Sequence, residues 1–279
     1  MPSVTKTTKL SSRDVDALSA AVKAVGTPLF PESLSNLCMG LTQADCAHLS
    51  AFFADTRPVE IFSNRSEPEA IEALKTYFDV AYVLDPFFQL FPTVKADRVD
   101  RLRDIAPDDF RRSEYYRTFF RALQISDECG VMLVIAPDAA LFLSLGMTSG
   151  HSLKPGPLQA MLPVIGALAR RHWTVLTPER PDGTGRLAAQ MEQAFAAFGD
   201  SKLSPREAEI TRMILQGYST KAIARDLNNS PETIKVHRKR IFAKLGLATQ
   251  GALLPLFLDA LRAMPPGAKG DPLVFLPKQ

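Results

Sequence analysis

The feature that most constrains this chain is a dense run of helix-start and helix-stop signals in residues 203–247. In chain order the signals are Ser204-Pro205-Arg206-Glu207, Gly217, Ser219, Asn228-Asn229, Ser230-Pro231 and Gly246. A capping serine before a proline at the first helical position, with a glutamate three residues after the cap, predicts a helix start. Glycine predicts a helix end, and paired asparagines predict a turn. The segment therefore predicts short helices joined by a tight turn, with a long last helix, which is a helix-turn-helix.

The long last helix separates its apolar residues from its cations. At about 100° per residue, Ile234, Ile241 and Leu245 lie on one stripe, with His237 beside it. The opposite arc holds Lys235, Val236, Lys239, Arg240 and Ala243. A helix face that only meets solvent usually interleaves glutamate, and this arc has none. Cations suit phosphates and guanine edges, and small apolar groups suit thymine methyls, so this face predicts entry into the major groove of double-stranded DNA.

The charge distribution agrees with a nucleic-acid-binding module at one end of the chain. Residues 202–262 hold 11 Lys and Arg against 5 Asp and Glu, a net charge of +6. Residues 1–201 hold 20 against 24, a net charge of −4. Because neutralising a polyanion requires cations gathered on one surface, the split favours a phosphate-binding module joined to a domain that does not bind phosphates.

Residues 203–262 resemble the LuxR-type helix-turn-helix, the output domain also found in NarL- and FixJ-like regulators. Besides the helix signals above, the matching positions are Tyr218, Thr220, Lys221, Ile223-Ala224, Leu227, Thr233 to His237, Ile241 and Lys244-Leu245. The resemblance implies major-groove contacts for Lys235, Val236 and Lys239. It implies phosphate or flanking contacts for Lys221, Thr233, Arg238 and Arg240, and a dimerising helix over about 249–262. Two positions depart from the family pattern: Asn229 replaces an apolar residue, and Pro255 is expected to shorten or kink the dimerising helix.

The rest of the chain predicts a mixed α/β sensor-like domain. Apolar stripes predict helices over 13–25 and 158–172, and short apolar runs predict a strand over 59–62 and a hairpin of 131–136 with 139–146. The whole chain is then α+β, with an all-α four-helix C-terminal domain. We expect a sensory domain over 1–176, a linker with an amphipathic helix over 177–202, the helix-turn-helix domain over 203–265 and a tail over 266–279.

Four further local predictions follow from the N-terminal patterns. We expect a second helix after Thr42 and a strand over 80–84. We also expect a capping box in which Glu69 reaches back to Ser66, and an aromatic-rich helix over 108–123. Asp127-Glu128 is interpreted as a pair of turn acids.

The N-terminal domain predicts a sensor rather than another kind of input domain. It lacks the regular βα alternation and acidic pair of a receiver domain, and it has no phosphate-binding GxxxxGK[ST] loop. Tyr77, Tyr82, Asp85 and Pro86 superficially resemble acyl-homoserine-lactone sensors, but the single tryptophan, Trp173, lies away from that region. The domain therefore looks like an α+β sensor of the broad GAF or PAS kind. The candidate ligand-binding residues are Tyr82, Asp85, Phe88, Tyr115, Tyr116 and Phe119.

These patterns together predict a transcriptional regulator that binds DNA as a homodimer under the control of a small-molecule effector. Two alternatives stay open: a sigma-like factor that contacts RNA polymerase, and an N-terminal enzyme domain joined to a helix-turn-helix. No catalytic motif supports an enzyme, and no motif predicts a cofactor or metal. Three cysteines, Cys38, Cys46 and Cys129, form no metal or disulfide pattern, although a redox role stays open. The first residues lack a secretory signal and no apolar run spans a bilayer, so we expect a cytoplasmic protein with no membrane contact.

Overall fold

The computed structural model describes residues 10–54, 57–173, 192–265 and 267–277. Within these ranges the N-terminal part forms a central antiparallel sheet in the order β2-β1-β5-β4-β3. The strands are β1 (Cys46–Phe53), β2 (Val59–Ser63), β3 (Arg98–Arg101), β4 (Asp127–Ala136) and β5 (Ala139–Met147). The predicted strand over 59–62 and the predicted hairpin are confirmed, because β4 and β5 pair directly around Pro137-Asp138.

Two groups of helices cover the two faces of the sheet. The N-terminal helices are α1 (Ser12–Ala24), α2 (Phe30–Thr42), α3 (Pro68–Asp79), α4 (Pro86–Leu90), α5 (Leu102–Ile105), α6 (Arg121–Leu123) and α7 (Pro155–Trp173). Helices α1, α2 and α7 pack on one face, where strand residues such as Leu49, Val131 and Leu143 are buried against them. On the other face Phe52, Met132 and Phe142 join an aromatic core with α4 and the segment after α5. Because side chains alternate along a strand, each strand serves both cores.

Strand β1 stands where we expected a second helix, so that prediction is wrong. Helix α2 lies before Thr42 and ends there, with Gln43 in the left-handed conformation at φ 62°. The following residues alternate between the two covered faces of the sheet. The pattern therefore has the period of a strand, and the pairing with β5 decides its conformation.

The aromatic-rich stretch expected as one helix over 108–123 is divided, so that prediction is also wrong. It contains a 3₁₀ turn (Phe110–Arg112), extended backbone at Ser113, a π-helical turn (Tyr116–Phe120) and α6. The Ser113 hydroxyl accepts the Tyr116 N–H at 3.1 Å, which starts a new turn and ends the previous one.

Two smaller predictions fail for local reasons. Residues 80–84 are not a strand, because Ala81–Leu84 form a 3₁₀ turn whose four side chains are all buried. An apolar run that is covered on all sides carries no periodic signal to separate the two conformations. Helix α3 begins as expected, but Glu67 is its cap residue and makes no side-chain capping bond; the carboxylate of Glu67 instead accepts Arg65 Nε at 2.9 Å.

The C-terminal helices follow the predicted signals closely. They are α8 (Pro205–Gln216), α9 (Thr220–Asp226), α10 (Pro231–Leu245) and α11 (Leu253–Ala263). The helix expected over about 249–262 is shorter at its start, because Gln250–Ala252 form a 3₁₀ turn and α11 begins at Leu253. Pro255 lies in its first turn, where a backbone N–H has no intrahelical acceptor to lose. The expected mixed sheet domain followed by a helical domain is confirmed.

Two regions complete the described part of the chain. After α11 the tail returns over that helix through a 3₁₀ turn, Pro272–Phe275, and the carboxylate of Asp271 accepts the Gly199 and Ser201 N–H groups at 3.1 and 2.8 Å. The predicted linker over 177–202 lies mainly outside the described residues, although 192–197 are helical. Among the helices described, none alone has the length and apolar character to cross a membrane; only the bent pair Pro231–Leu245 and Gln250–Ala263 meets those criteria, by length and composition alone.

Candidate DNA-binding surface and ligand cavity

Helix α10 is fixed at both ends and along one side. Ser230 Oγ accepts the Thr233 N–H at 3.0 Å, which caps the start of the helix, and Gly246 ends it in the left-handed conformation at φ 69°. Ile234 and Ile241 are fully buried and Leu245 is nearly so, as the apolar stripe predicted. This anchoring leaves the opposite side of the helix facing solvent.

The solvent side of α10, which we call the α10 cationic face, consists of Lys235, Val236, Lys239 and Arg240. All four side chains are exposed, and Val236 is 49% exposed. Lys235 Nζ lies 3.0 Å from Glu232 Oε1, a surface pair that exchanges readily with solvent. Within the described ranges, Lys239 and Arg240 have no ion-pair partner. The face therefore presents cations and one apolar group that a negatively charged partner can reach.

The other predicted DNA contacts have different surroundings. Lys221 is exposed on α9, and Thr233 is exposed with its hydroxyl 2.8 Å from Ser230 Oγ. Arg238 is half-buried: its guanidinium donates to Gln250 Oε1 and lies 5.9 Å from the centre of the Phe242 ring. Arg238 therefore already supports the fold, whereas Lys221 and Thr233 are exposed to solvent. The assignment of these residues to DNA stays a prediction.

An ion pair that the sequence did not reveal ties the end of α10 to the start of α8. Glu207 Oε2 accepts Lys244 Nζ at 2.6 Å and the Ser204 N–H at 2.8 Å. The bond from Lys244 and those from Ser204 lower the pKa of Glu207 to about 2, because they stabilise its charged form. The capping box could be predicted from the spacing of Ser204 and Glu207 in the sequence, but the Lys244 contact depends on how the two helices pack.

A small cavity of about 60 Å³ lies between the sheet and the layer of α3 and the 115–123 segment. Three predicted ligand residues, Asp85, Tyr115 and Phe119, line it. The other three lie outside its lining. Tyr82 is fully buried in the aromatic core, Phe88 packs edge-on against it, and Tyr116 stacks on Phe120. Which of the six contact a ligand stays a prediction.

The cavity wall is mostly apolar but carries buried polar groups. Asp85 accepts the Tyr77 hydroxyl at 2.6 Å and the Phe87 N–H at 2.9 Å, and burial raises its pKa to about 6. Glu128 Oε1 accepts the Ser144 hydroxyl at 2.5 Å, but Glu128 Oε2 has no hydrogen-bond partner among the described residues. Burial, and secondarily the nearby Asp85, raise the pKa of Glu128 to about 8.

His48 is a third polar group of this wall. Both of its ring nitrogens are buried without a hydrogen-bond partner in the part of the chain that the structure describes, and burial lowers its pKa to about 4. The ring is therefore neutral at pH 7. Buried polar atoms without partners are uncommon in folded proteins, and three of the six in the described residues, two on His48 and one on Glu128, belong to residues that line this cavity.

Sequence reasoning missed Glu128, His48 and Ser144 as cavity residues, and it was wrong about Glu128. This residue is in strand β4, not in a turn. The pairing of His48 with Ser144, of Ser50 with Phe142 and of Glu128 with Gly146 places these side chains on the same face of the sheet. The signal was the alternation of His48 and Ser50 along β1, which becomes informative only once the strand register is known.

The helix-turn-helix packs directly against the N-terminal domain. The Ser219 N–H donates to Asp108 Oδ1 at 2.9 Å, the Asp109 N–H donates to the Gly217 carbonyl at 3.1 Å, and Gln216 Nε2 donates to Gln89 Oε1 at 2.8 Å. At Gly217, with φ 92°, an added Cβ would lie 2.8 Å from Phe110 Cα. Only glycine therefore permits this close approach of the two backbones.

No arrangement of at least three His, Cys, Asp or Glu residues suited to a metal ion occurs within 10–54, 57–173, 192–265 and 267–277. Cys38, Cys46 and Cys129 are free and buried. Burial raises the pKa of Cys46 to about 11, so its thiol stays protonated at pH 7.

Comparisons with known proteins give similarities to both parts of the chain. The family described as "Bacterial regulatory proteins, luxR family" matches residues 201–254. The chain is 32% identical over 164 residues, 55% of this chain and 83% of the relative, to the "Putative HTH-type transcriptional regulator in exeN 3'region" of Aeromonas salmonicida. It is 25% identical over 74% of its length, and 93% of the relative, to the transcriptional regulatory protein RcsB of Escherichia coli K12.

A solved structure resembles the N-terminal part. The VqsR LBD domain from Pseudomonas aeruginosa aligns with a TM-score of 0.51 and 22% identity over 60% of this chain and 100% of that one. At this identity the likeness concerns the fold.

Proposed function

The chain belongs to the luxR family of bacterial regulatory proteins and is a transcriptional regulator with that family's helix-turn-helix, and from this premise we propose that it binds double-stranded DNA as a homodimer, with α10 in the major groove. The α10 cationic face carries the proposal. Two of its cations have no ion-pair partner in the described ranges, and Val236 lies between them on exposed surface. Phosphates would pair with the cations, and base edges would be read by Lys235, Val236 and Lys239.

We further propose that the N-terminal domain senses a small molecule in the cavity beside Asp85. Two observations support this: the wall combines apolar side chains with partnerless buried polar atoms, and a domain of similar fold is named an LBD, a ligand-binding domain. The proposal includes a cytoplasmic location and regulation without enzymatic turnover.

The test of DNA binding reverses the charges of the α10 cationic face. Duplexes are first selected from a random library with the wild-type chain, and their affinity is then measured for Lys235→Glu combined with Lys239→Glu. Removing two phosphate or base contacts and adding repulsion should weaken binding at least about 100-fold at moderate salt.

The matched control is Lys23→Glu combined with Lys75→Glu. These lysines are exposed on α1 and α3, and their replacement changes the net charge by the same amount. The control should retain most of the affinity. Equal losses in the two double variants would mean that total charge, and not the α10 cationic face, governs binding, and would contradict the proposal.

A separate measurement tests whether the chain binds DNA as a homodimer. Sedimentation with and without a selected duplex should give two chains per duplex, and the duplex should contain two related half-sites. One chain per duplex at saturation would contradict the dimer without affecting the assignment of α10.

A further inference from the structure

The cavity beside β4 contains two buried carboxyl groups, and the arginine among its lining residues, Arg65, has other partners. Glu128 is 6% exposed and Asp85 is also 6% exposed. Asp85 uses both oxygens, for Tyr77 and for the Phe87 N–H, but Glu128 Oε2 is buried without a hydrogen-bond partner. A buried carboxyl oxygen without a partner is costly, and such groups normally have a counter-ion or a hydrogen-bond donor.

Two arginines near this part of the sheet have acidic or carbonyl partners. Arg65 lines the cavity, but its Nε donates to Glu67 at 2.9 Å and its Nη1 donates to the Leu123 carbonyl at 2.8 Å. Arg101 lies outside the cavity lining and is paired with Asp127, the neighbour of Glu128 in the strand, although its buried Nε has no hydrogen-bond partner among the described residues. His48 is buried and neutral. Glu128 also lines a second, larger cavity with Arg103, Arg111 and Arg112, but its Oε2 accepts no hydrogen bond from any of them. Among the described residues, the side chain that donates to the Glu128 carboxyl group is therefore that of Ser144.

We propose that this cavity binds a small apolar molecule that ends in a protonated primary amine, and that Glu128 is the counter-ion of that amine. The inference rests on the sensor role proposed above and names the chemical class of its ligand. An ammonium group has three donors and no acceptor, which complements an unpartnered carboxylate oxygen. An anionic ligand would meet two carboxyl groups, and an alcohol would supply one hydrogen bond without a compensating charge.

The size of the cavity limits the rest of the ligand. A volume of about 60 Å³ is small compared with the space of a drug-sized pocket, so the apolar part has few carbons unless the walls move. Tyr115, Phe119 and Phe142 supply the apolar wall against which an alkyl chain would pack. The favoured ligands are therefore short alkylamines rather than large amphiphiles.

Binding of such an amine displaces a proton. With its pKa raised to about 8, Glu128 is mainly protonated in the empty cavity at pH 7. The ammonium ion enters, the carboxylic acid of Glu128 loses its proton to the buffer, and an ammonium–carboxylate pair remains, so charge and atoms balance. The other titratable or charged groups around Glu128 are Asp85, Tyr77, Tyr115, Cys46, His48, Arg65 and Asp127, together with Arg103, Asp108, Asp109, Arg111, Arg112 and Tyr116 of the larger cavity that Glu128 also lines. Burial also raises the pKa of Asp85, to about 6, so this carboxyl group too can change its charge near pH 7.

The experiment is calorimetric titration of the full chain, without DNA, with primary n-alkylamines from ethyl to hexyl. The matched n-alcohols and n-alkyl carboxylates are titrated in parallel. Each titration is repeated in buffers of different ionisation enthalpy, which gives the number of protons released. We expect amines to bind at least about 10-fold more tightly than the matched alcohols, since a charge-assisted hydrogen bond replaces a neutral one. We also expect about one proton released per amine at pH 7.

Glu128→Gln keeps the size of the side chain and removes its charge. We expect this variant to weaken amine binding about 10- to 100-fold and to abolish the proton release. The matched control is Glu72→Gln, an exposed residue of α3, the helix that contributes other residues to the wall. This control should leave both quantities unchanged. The contrast between amines and alcohols in the wild-type chain needs no variant, so a folding defect in Glu128→Gln would not leave the test undecided.

Three results would overturn the inference: equal affinity for amines and alcohols, amine binding without proton release, and unchanged amine affinity in a folded Glu128→Gln variant. Failure of every amine to bind would also overturn it. If an uncharged molecule binds instead, the sensor role stands and only the ligand class is wrong. Failure of the sensor role itself would appear as no binding of any class to this cavity.

Discussion

Two glutamates, one in each half of the molecule, are almost equally hidden from solvent and have opposite properties. Glu207 is 3% exposed and Glu128 is 6% exposed. Glu207 receives hydrogen bonds from Ser204 and Lys244, and its pKa falls to about 2. Glu128 receives one from Ser144, and its pKa rises to about 8. The difference shows that a low solvent exposure does not by itself decide whether a carboxyl group is charged: burial dominates at Glu128, whereas the hydrogen bonds from Lys244 and Ser204 dominate at Glu207.

The same contrast separates the two candidate sites. On the α10 cationic face the charges stay in water, where leaving them without partners costs little. In the cavity the acidic groups are out of water, where a missing partner is expensive. The α10 cationic face therefore does not destabilise the fold when no DNA is bound. The cavity, by contrast, lowers the stability of the N-terminal domain until a ligand supplies the missing partner.

The largest expected effect is the change in the free energy of unfolding caused by Glu128→Gln, which tests the contrast between the two sites. A carboxyl group with a raised pKa keeps its proton in the folded state while the unfolded chain loses it, so stability falls as pH rises from about 4.5 to 8. The variant lacks this penalty. We expect it to be more stable than wild type by roughly 4 kcal/mol at pH 8 and almost equal to it at pH 4.

The measurement is denaturant unfolding followed by the fluorescence of Trp173. This single tryptophan lies at the end of α7 and reports on the N-terminal domain. Glu72→Gln serves as the control: because it retains Glu128, its stability should follow that of wild type at every pH. If the stability of Glu128→Gln falls with pH as steeply as that of wild type, Glu128 is not the partnerless acid described above.

Glu207→Gln should have the next largest effect on the free energy of unfolding, and this variant should be less stable than wild type. A carboxyl group with a lowered pKa stabilises the fold above about pH 4.5 and loses that contribution as pH falls towards 2. The variant should therefore lose about 2 kcal/mol at pH 7, a value reduced because Lys244 is partly exposed, and should converge with wild type near pH 2.

Helical circular dichroism during unfolding reports this change, since α8 and α10 both depend on Glu207. The control is Glu209→Gln on the same helix, where a surface pair with Arg206 should contribute less than about 0.5 kcal/mol. Similar losses in the two variants would mean that the Lys244 contact has no special weight.

The smallest change in the free energy of unfolding is expected for a substitution on the α10 cationic face. Lys239→Ala should change the free energy of unfolding by less than about 0.5 kcal/mol, because Lys239 is exposed and has no ion-pair partner within the described ranges. It should nevertheless lower the slope of log affinity for DNA against log salt by about 0.9 if Lys239 contacts a phosphate. The slope is measured by titrating a selected duplex at several salt concentrations, with Lys23→Ala as the control. A loss of base preference with an unchanged slope would make Lys239 a base-reading residue instead.

The C-terminal domain was predictable because its signals are local. Ser204, Gly217, Ser230 and Gly246 each act on the turn of helix beside them, and a helical wheel is enough to separate Ile234 from the cations. The N-terminal domain depends on contacts between distant residues. The break at Ser113 lies where the chain meets Gly217, about a hundred residues later, and the cavity needs the register of β1 with β5. Propensity and periodicity contain neither kind of information.

The hydroxyl of Ser219 makes hydrogen bonds in both parts of the molecule. Ser219 Oγ accepts the Ala222 N–H and so begins α9, and it also donates to Asp108 of the N-terminal domain. Asp108 precedes Tyr115, a residue of the cavity wall, by seven positions in the same stretch of chain. The stretch of chain that lines the cavity and the first turn of the helix that presents Lys221 are therefore joined by a direct hydrogen bond, a connection that does not pass through the linker.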